Sequence, residues 1–258
     1  MAGNIEKSLV GGVLHLEFTS DDGRNTMDDD WFERLDQALE SASGNRNVRV
    51  VLLSGRGAAF CSGMNLRAAT SGFLGDGFAG SPLSRVSHRL ADFAKPLVAA
   101  VHGSAIGGGT TLLLHCDLVV AAAETKFRLP FPSLGIVPEI GSSYLLPRAA
   151  GWRLASELIL LGNLFDAQMA QRAGIVNSVV ESGKELATAR EWADQLAAKA
   201  PVPVVESKRL LHAEHLAGLH AAIDREGEAL AAAVQRGEFR EAVAAFAEKR
   251  APDFSAFH

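Results

Sequence analysis

The chain is poor in cysteine and in positive charge, and each shortage excludes something. Its two cysteines, Cys61 and Cys116, show no C-x-x-C spacing, so neither a disulfide framework nor a structural zinc site is expected, and a reducing compartment is. Lys and Arg number 25 against 30 Asp and Glu, a net charge of −5, which leaves no basic field for general nucleic-acid binding. A local basic site for an anionic ligand remains open. No apolar run reaches membrane-spanning length. No basic-plus-apolar leader opens the sequence, and it closes on Ala256-Phe257-His258 rather than an S-K-L address, so a cytoplasmic location is expected. His102, His115 and the pair His212/His215 form no H-E-x-x-H site. The last two share a helix face without a further ligand, so they read as structural.

What is present is an ordinary globular composition, 48% apolar and 21% charged over 258 residues, with 25 glycines that fall at telling places. Leu97 to Val101 is a continuous apolar run of strand length, the signature of a strand buried on both faces. Gly103 and the triplet Gly107 to Gly109 then turn the chain, and Thr110 to Cys116 reads as a short buried helix. Glycines at a helix start leave its first N–H groups open to a ligand oxygen, and such a terminus favours negative charge. A phosphate-cradling P-loop is excluded, because Gly103-x4-Gly108 is followed by Gly109 and Thr110 with no lysine. Two readings stay open: tight packing of a turn against a sheet, or one half of an oxyanion hole.

Elsewhere, residues 5–10 and 13–18 read as a hairpin around Gly11-Gly12; which face of the second strand is buried is left open by its pattern. A helix is expected from Asp28, with Trp31, Leu35, Ala38, Leu39 and Ala42 as its apolar stripe. Val48 to Leu53 is another buried strand, followed by the glycine turn at Gly63. Residues 69–81 are glycine-rich, with Phe73, Leu74 and Phe78 reading as exposed; a mobile loop and a lid over an apolar ligand are the two interpretations. Leu83, Val86, Leu90 and Phe93 mark a helix leading back to the central strand. Short strands follow at 117–121, 126–129 and 175–180. The C-terminal part turns helical at 184–199, 204–215, 219–234 and 238–250, giving an α/β body with a helical tail. Val204, Leu210, Leu211, Leu219, Ile223 and Leu230 there call for burial, under the body or against other subunits.

With both glycine turns in view, Phe60-Cys61-Ser62-Gly63-Met64-Asn65-Leu66 and Lys95 to Gly109, together with Cys116-Asp117 and the closing Phe246-Ala247-Glu248-Lys249-Arg250, resemble the enoyl-CoA hydratase/isomerase (crotonase) superfamily. The resemblance implies a spiral of repeated ββα units, with residues 1–200 as the core carrying the acyl-CoA site and 201–258 as a helical region for oligomerisation. It further implies an acyl-CoA thioester substrate, no cofactor beyond the coenzyme A of that substrate, and a homotrimer or dimer of trimers. Backbone N–H groups of Ser62 and Gly108 would hold the thioester oxygen as it becomes an enolate. Arg24, Ala58, Phe60 and Lys249 would meet coenzyme A, the last in a neighbouring subunit. Phe73, Leu74, Phe131, Leu134 and Val137 would line the acyl pocket. Asn65 replaces the aspartate usual in the first motif.

The family's hydratases use two glutamates, and this chain has Thr111 and Phe131 at those positions. Ordinary hydration is therefore not expected, and Phe131 counts against the dienoyl-CoA isomerases as well. Pro130 to Tyr144 instead resembles the segment of the Δ3,Δ2-enoyl-CoA isomerases that carries their single base, which falls on Glu139. The 1,2-epoxyphenylacetyl-CoA isomerases have an aspartate there, and their other motifs are similar to Leu145-Leu146-Pro147-Arg148 and to 249–254. The resemblance makes Glu139 the base of an isomerase that moves a 3-enoyl double bond to the 2-position. Read without it, Glu139 would cap the helix that follows. A non-catalytic acyl-CoA-binding protein is the reading from a different class.

Overall fold

The computed structural model describes residues 3–66 and 77–257. Asn4–Val10 (β1) and Val13–Thr19 (β2) form the expected hairpin, and β2 continues in parallel with Val50–Gly55 (β3), Leu97–Val101 (β4), Leu118–Ala122 (β6) and Ser178–Val180 (β9). Ser104–Ile106 (β5), Lys126–Arg128 (β7) and Phe165–Asp166 (β8) make a second, smaller sheet. The chain therefore delivers one strand to the large sheet and the next to the small one: β4 then β5, β6 then β7. After β3, Cys61 bridges to Ala105 of β5 in the same way. This is the repeated strand–strand–helix turn of a spiral.

The continuous apolar strands are explained by burial on both faces. Val51, Leu53, Leu97, Ala99, Val101, Val119 and Ala121 point into the main core. Val13, Val50, Leu52, Val98, Ala100 and Val120 point to the other side. That second face is covered by Glu185–Ala197 (α7), whose buried residues Ala189 and Ala193 belong to the same cluster. Small side chains there let the helix lie close to the sheet. The ambiguous pattern of β2 is resolved the same way, with Val13 on the α7 side and Leu16 and Phe18 in the main core.

Asp29–Gly44 (α1) starts where the sequence placed it, the Asp28 carboxylate accepting from the Trp31 N–H at 3.0 Å. Pro82–Asp92 (α2) is capped by Ser81, with proline at its first position. Gly108–Thr111 (α3) begins two residues earlier than expected and passes into a single 3₁₀ turn, Leu112–His115. Ser142–Ala150 (α4), Trp152–Ser156 (α5) and Ala167–Arg172 (α6) lead to the helical end of the chain, Pro201–His212 (α8), Leu216–Ala233 (α9) and Gly237–Glu248 (α10).

The two explanations for the apolar tail apply to different helices. Leu219, Ile223 and Leu230 of α9 are buried in the main core, whereas Leu210 and Leu211 of α8 are 66% and 76% exposed. α8 is fastened from its other side, Lys208 Nζ donating to Asp117 Oδ2 at 2.8 Å and to the Lys95 carbonyl at 3.0 Å. One expectation is corrected. Phe78 is not exposed but buried, its ring lying on the face of α9 at Gly227. Phe73 and Leu74 lie outside the described residues. Among the described residues, no helix is long and apolar enough to cross a membrane.

Candidate active site

The two glycine turns meet because the backbone between them is laced together. Cys61 N–H donates to the Ser104 carbonyl at 3.1 Å and Ile106 N–H to the Cys61 carbonyl at 3.0 Å. Met27 N–H donates to the Gly63 carbonyl and Asn65 N–H to the Met27 carbonyl, at 2.9 and 2.8 Å. The approach leaves no room for side chains. A Cβ on Gly63, whose φ is +79°, would lie 2.5 Å from the Ile106 carbonyl oxygen, and one on Gly109 would lie 2.4 Å from that of Cys61.

This lacing decides which N–H groups are free. Ser62 N–H donates to the Arg24 carbonyl at 2.9 Å, so it is occupied, and the expectation that it serves as an oxyanion donor is corrected. The parallel bridge between Met27 and Met64 turns the bonding groups of Gly63 and Asn65 one way and the Met64 N–H the other. The N–H groups of Met64 and Gly108 meet no acceptor among the described residues, and both residues line one cleft of about 620 Å³.

The cleft is mainly apolar. Phe131, Leu134 and Ile136 line it, as do Leu230 and Val234 from the end of α9 and Phe239 and Phe246 from α10. Arg24 and Asp22, both exposed, lie on its rim and form a loose ion pair at 3.7 Å. Among the described residues, Asp22 and Glu139 are the carboxylates that line the cleft, and of these Glu139 is the buried one, at 8% exposure. Its Oε1 accepts a hydrogen bond of 2.8 Å from the Thr111 hydroxyl, and a Cβ on Gly108 would sit 3.7 Å from the same oxygen. The carboxyl thus stands beside one of the two free N–H groups. Burial pushes its pKa up to about 7; the Thr111 hydrogen bond opposes that rise, and the nearby charge of Glu226 adds to it. A carboxyl poised near neutrality can both take and return a proton.

Glu139 does not spend its side chain on capping α4. The N–H groups of Gly141 and Ser143 donate instead to Glu226 of α9, at 2.6 and 2.7 Å. Thr111, noted in the sequence only as a missing glutamate, is the hydrogen-bond partner of the carboxyl. Glu226 also escaped sequence reasoning, although a signal existed: it falls within the buried stripe of Leu219, Ile223 and Leu230, where a carboxylate needs a partner.

The other expected residues divide. Arg24, Phe131 and Leu134 line the cleft. Val137 does not; it packs against the main core. Phe60 is fully buried, its ring 5.3 Å from that of Phe18 and its N–H held by the His102 carbonyl, so its side chain is a core element. Ala58 is exposed and does not itself line the cleft, its N–H on the carbonyl of Gly23, between the rim residues Asp22 and Arg24. Lys249 ends α10 with φ +57° and does not line the cleft of its own chain. His115 is structural, its Nε2 on the Ile140 carbonyl at 2.8 Å. Among the described residues, no group of three or more His, Cys, Asp or Glu is placed to hold a metal ion.

Residues 9–256 match the enoyl-CoA hydratase/isomerase family. The 1,2-epoxyphenylacetyl-CoA isomerase of Escherichia coli K12 is 33% identical over 253 residues, covering 95% of each chain. The 2,3-dehydroadipyl-CoA hydratase of the same organism is 32% identical and covers 94% of each. The crystal structure of an enoyl-CoA hydratase/isomerase from Pseudoalteromonas atlantica T6c superposes with a TM-score of 0.89 at 36% identity, over 97% of this chain and 99% of that one.

Proposed function

Because this chain belongs to the enoyl-CoA hydratase/isomerase family, we propose that it is an acyl-CoA isomerase working through one carboxylate. The observation that carries this reading is Glu139, among the described residues the one buried carboxylate of the cleft, standing beside the Gly108 N–H with the unoccupied Met64 N–H lining the same cleft, and with Thr111 and Phe131 where the family resemblance puts a hydratase's two acids. Neither Thr111 nor Phe131 can shuttle a proton to or from water in the role of a hydratase's glutamates.

In the proposed cycle the thioester oxygen of a 3-enoyl-CoA accepts from the Met64 and Gly108 N–H groups. Glu139 takes a proton from C2, and the C–H electrons move into a dienolate whose charge rests on that oxygen. As the dienolate collapses, C4 takes the same proton back from Glu139, leaving the double bond at C2–C3. Each oxyanion donor of this kind is typically worth about 2.7–4 kcal/mol of transition-state stabilisation. Both N–H groups sit in turns fixed by neighbouring strands, so they need no reorganisation when charge develops. An apolar cleft strengthens them further by excluding water.

A second reading has its own support: the relative named as a 1,2-epoxyphenylacetyl-CoA isomerase is 33% identical to this chain, as similar as the relative named as a 2,3-dehydroadipyl-CoA hydratase at 32%. The two readings share the thioester and the N–H pair, and differ in the acyl group and in the rearrangement, a double-bond shift in the first and a ring expansion in the second. A panel of 3-enoyl-, 2-enoyl-, dienoyl- and aryl-epoxide CoA thioesters separates them, with Glu139→Gln run in parallel. The expected result is double-bond migration in the 3-enoyl thioester, abolished by at least about 10³-fold in Glu139→Gln while acyl-CoA still raises the melting temperature. Near-normal turnover in that variant would sink the assignment. Stabilisation by acyl-CoA with no turnover across the panel would favour a binding protein instead.

A further inference from the structure

The turn that carries Glu139 is held in a conformation its residues do not favour. Ile140 has φ +54°, in the left-handed region that β-branched residues avoid, and Gly141 follows at +73°. Such a turn persists only where its surroundings over-determine it. Three contacts do so here. His115 holds the Ile140 carbonyl at 2.8 Å, as a neutral imidazole whose pKa burial lowers to about 4. Leu219 and Ile223 press on Gly141, where a Cβ would come within 2.5 Å of Leu219 Cδ1. One turn further along the same face of α9, Glu226 accepts from the N–H groups of Gly141 and Ser143 with its two oxygens.

We propose that Glu226 is a positioning residue for the reaction: its bidentate grip on the N-terminus of α4 fixes the strained Ile140-Gly141 turn and so aims the Glu139 carboxyl at the substrate. This rests on the reading of Glu139 as the base. The grip is stronger than an ordinary cap. A carboxylate at a helix N-terminus is favoured by the helix dipole as well as by its hydrogen bonds, and here both oxygens are used in a buried setting. It also frees Glu139. Were Glu139 to cap α4 itself, its oxygens would face the backbone instead of Thr111 and the cleft.

The same carboxylate adds an electrostatic effect. Its negative charge disfavours ionisation of Glu139, in the same sense as burial. Among the described residues, the charged groups that act in this corner are Glu139 across the turn and Arg225 on α9 beside Glu226. Glu226 therefore does two separable things: it holds geometry through its reach and raises the Glu139 pKa through its charge.

Two variants of the full chain separate them, assayed by steady-state kinetics on a 3-enoyl-CoA against pH. Glu226→Gln keeps the length, loses the charge and retains one acceptor. It is expected to lower kcat by on the order of 10- to 100-fold, the cost of a misplaced catalytic group, with KM unchanged and the acid limb of kcat moved to lower pH. Glu226→Asp keeps the charge but is one methylene short of bridging both N–H groups; it should lose kcat with the acid limb in place. Wild-type kcat in both variants overturns the proposal, as does an unmoved acid limb in Glu226→Gln. Should Glu226→Gln not fold, Glu226→Asp decides alone: a wild-type kcat overturns the proposal, and a loss at unchanged KM supports it. Failure of the underlying reading looks different, because Glu139→Gln would then turn over normally whatever the Glu226 variants do.

Discussion

Glu139 and Thr111 form a pair whose chemistry is set by opposing effects. Burial raises the Glu139 pKa toward 7, and the Thr111 hydroxyl, donating to Oε1, favours the charged form and restrains the rise. Removing the donor with Thr111→Val should move the acid limb of kcat/KM to higher pH. A hydrogen bond to a charged group is worth about 1.5–3 kcal/mol, roughly one to two pKa units, so activity at pH 6 should fall by roughly 10- to 100-fold while activity at pH 9 changes by only a few-fold at most. Thr111→Ser keeps the hydroxyl and should keep the limb. An unmoved limb in Thr111→Val would show that the bond does not control the base. At this scale the sequence was informative about residue types but not about direction. The proposed base Glu139 and proposed donor Gly108 could be named from motif position. The proposed donor of the first turn could not, because Ser62 and Met64 are two residues apart and only the folded backbone shows the Ser62 N–H on the Arg24 carbonyl and, through the bridge to Met27, the Met64 N–H turned the other way.

Among the elements, α9 does the most that its sequence conceals. Its periodicity announces a buried face, and Leu219, Ile223 and Leu230 bear that out. What periodicity cannot announce is the partner. That face backs the Glu139 turn through Leu219, Ile223 and Glu226, reaches the cleft with Leu230, and receives the Phe78 ring at Gly227. Phe78 stands in a glycine-rich stretch, where local pattern suggests exposure; its burial depends on a glycine far along the chain. A Cβ at Gly227 would lie 2.0 Å from the ring. Gly227→Ala should therefore expel Phe78, losing about 1.5–3 kcal/mol of burial against a gain of about 1 kcal/mol in helix propensity. The net expectation is a lower melting temperature. In a Phe78→Ala background the same Gly227→Ala change should become stabilising, since the ring it strikes is gone. A double-mutant cycle reads this directly, and additive effects would show that the two positions do not touch. The sheet elements were easier to read. Strands buried on both faces need only continuous apolar sequence, whereas β5 and β8 have three and two residues and no pattern of their own.

For the whole molecule, a carboxyl held near neutrality is a cost to the fold, and that cost has a pH signature. Glu139 titrates at about 7 when folded, against 4.5 for an ordinary glutamate. The folded state thus binds the Glu139 proton more tightly than the unfolded state does. Below pH 4.5 both states hold the proton and no penalty exists. As pH rises from 4.5 to 7 the unfolded chain ionises freely while the folded one resists, so stability falls. Above pH 7 the loss is complete, and at 1.36 kcal/mol per unit it amounts to about 3 kcal/mol as an order of magnitude. Glu139→Gln removes the titration while its amide oxygen can still accept from Thr111. This variant should consequently be more stable than the wild type at pH 8, by roughly 6–12 °C in melting temperature for a chain of this size, and close to it at pH 5. Glu226, whose pKa burial also raises, remains in both proteins, so its own titration largely cancels in the comparison. The measurement is a pair of thermal unfolding curves at each pH. A difference that does not grow between pH 5 and pH 8 would mean that Glu139 ionises in the folded protein as easily as in water, and that the cleft does not raise its pKa.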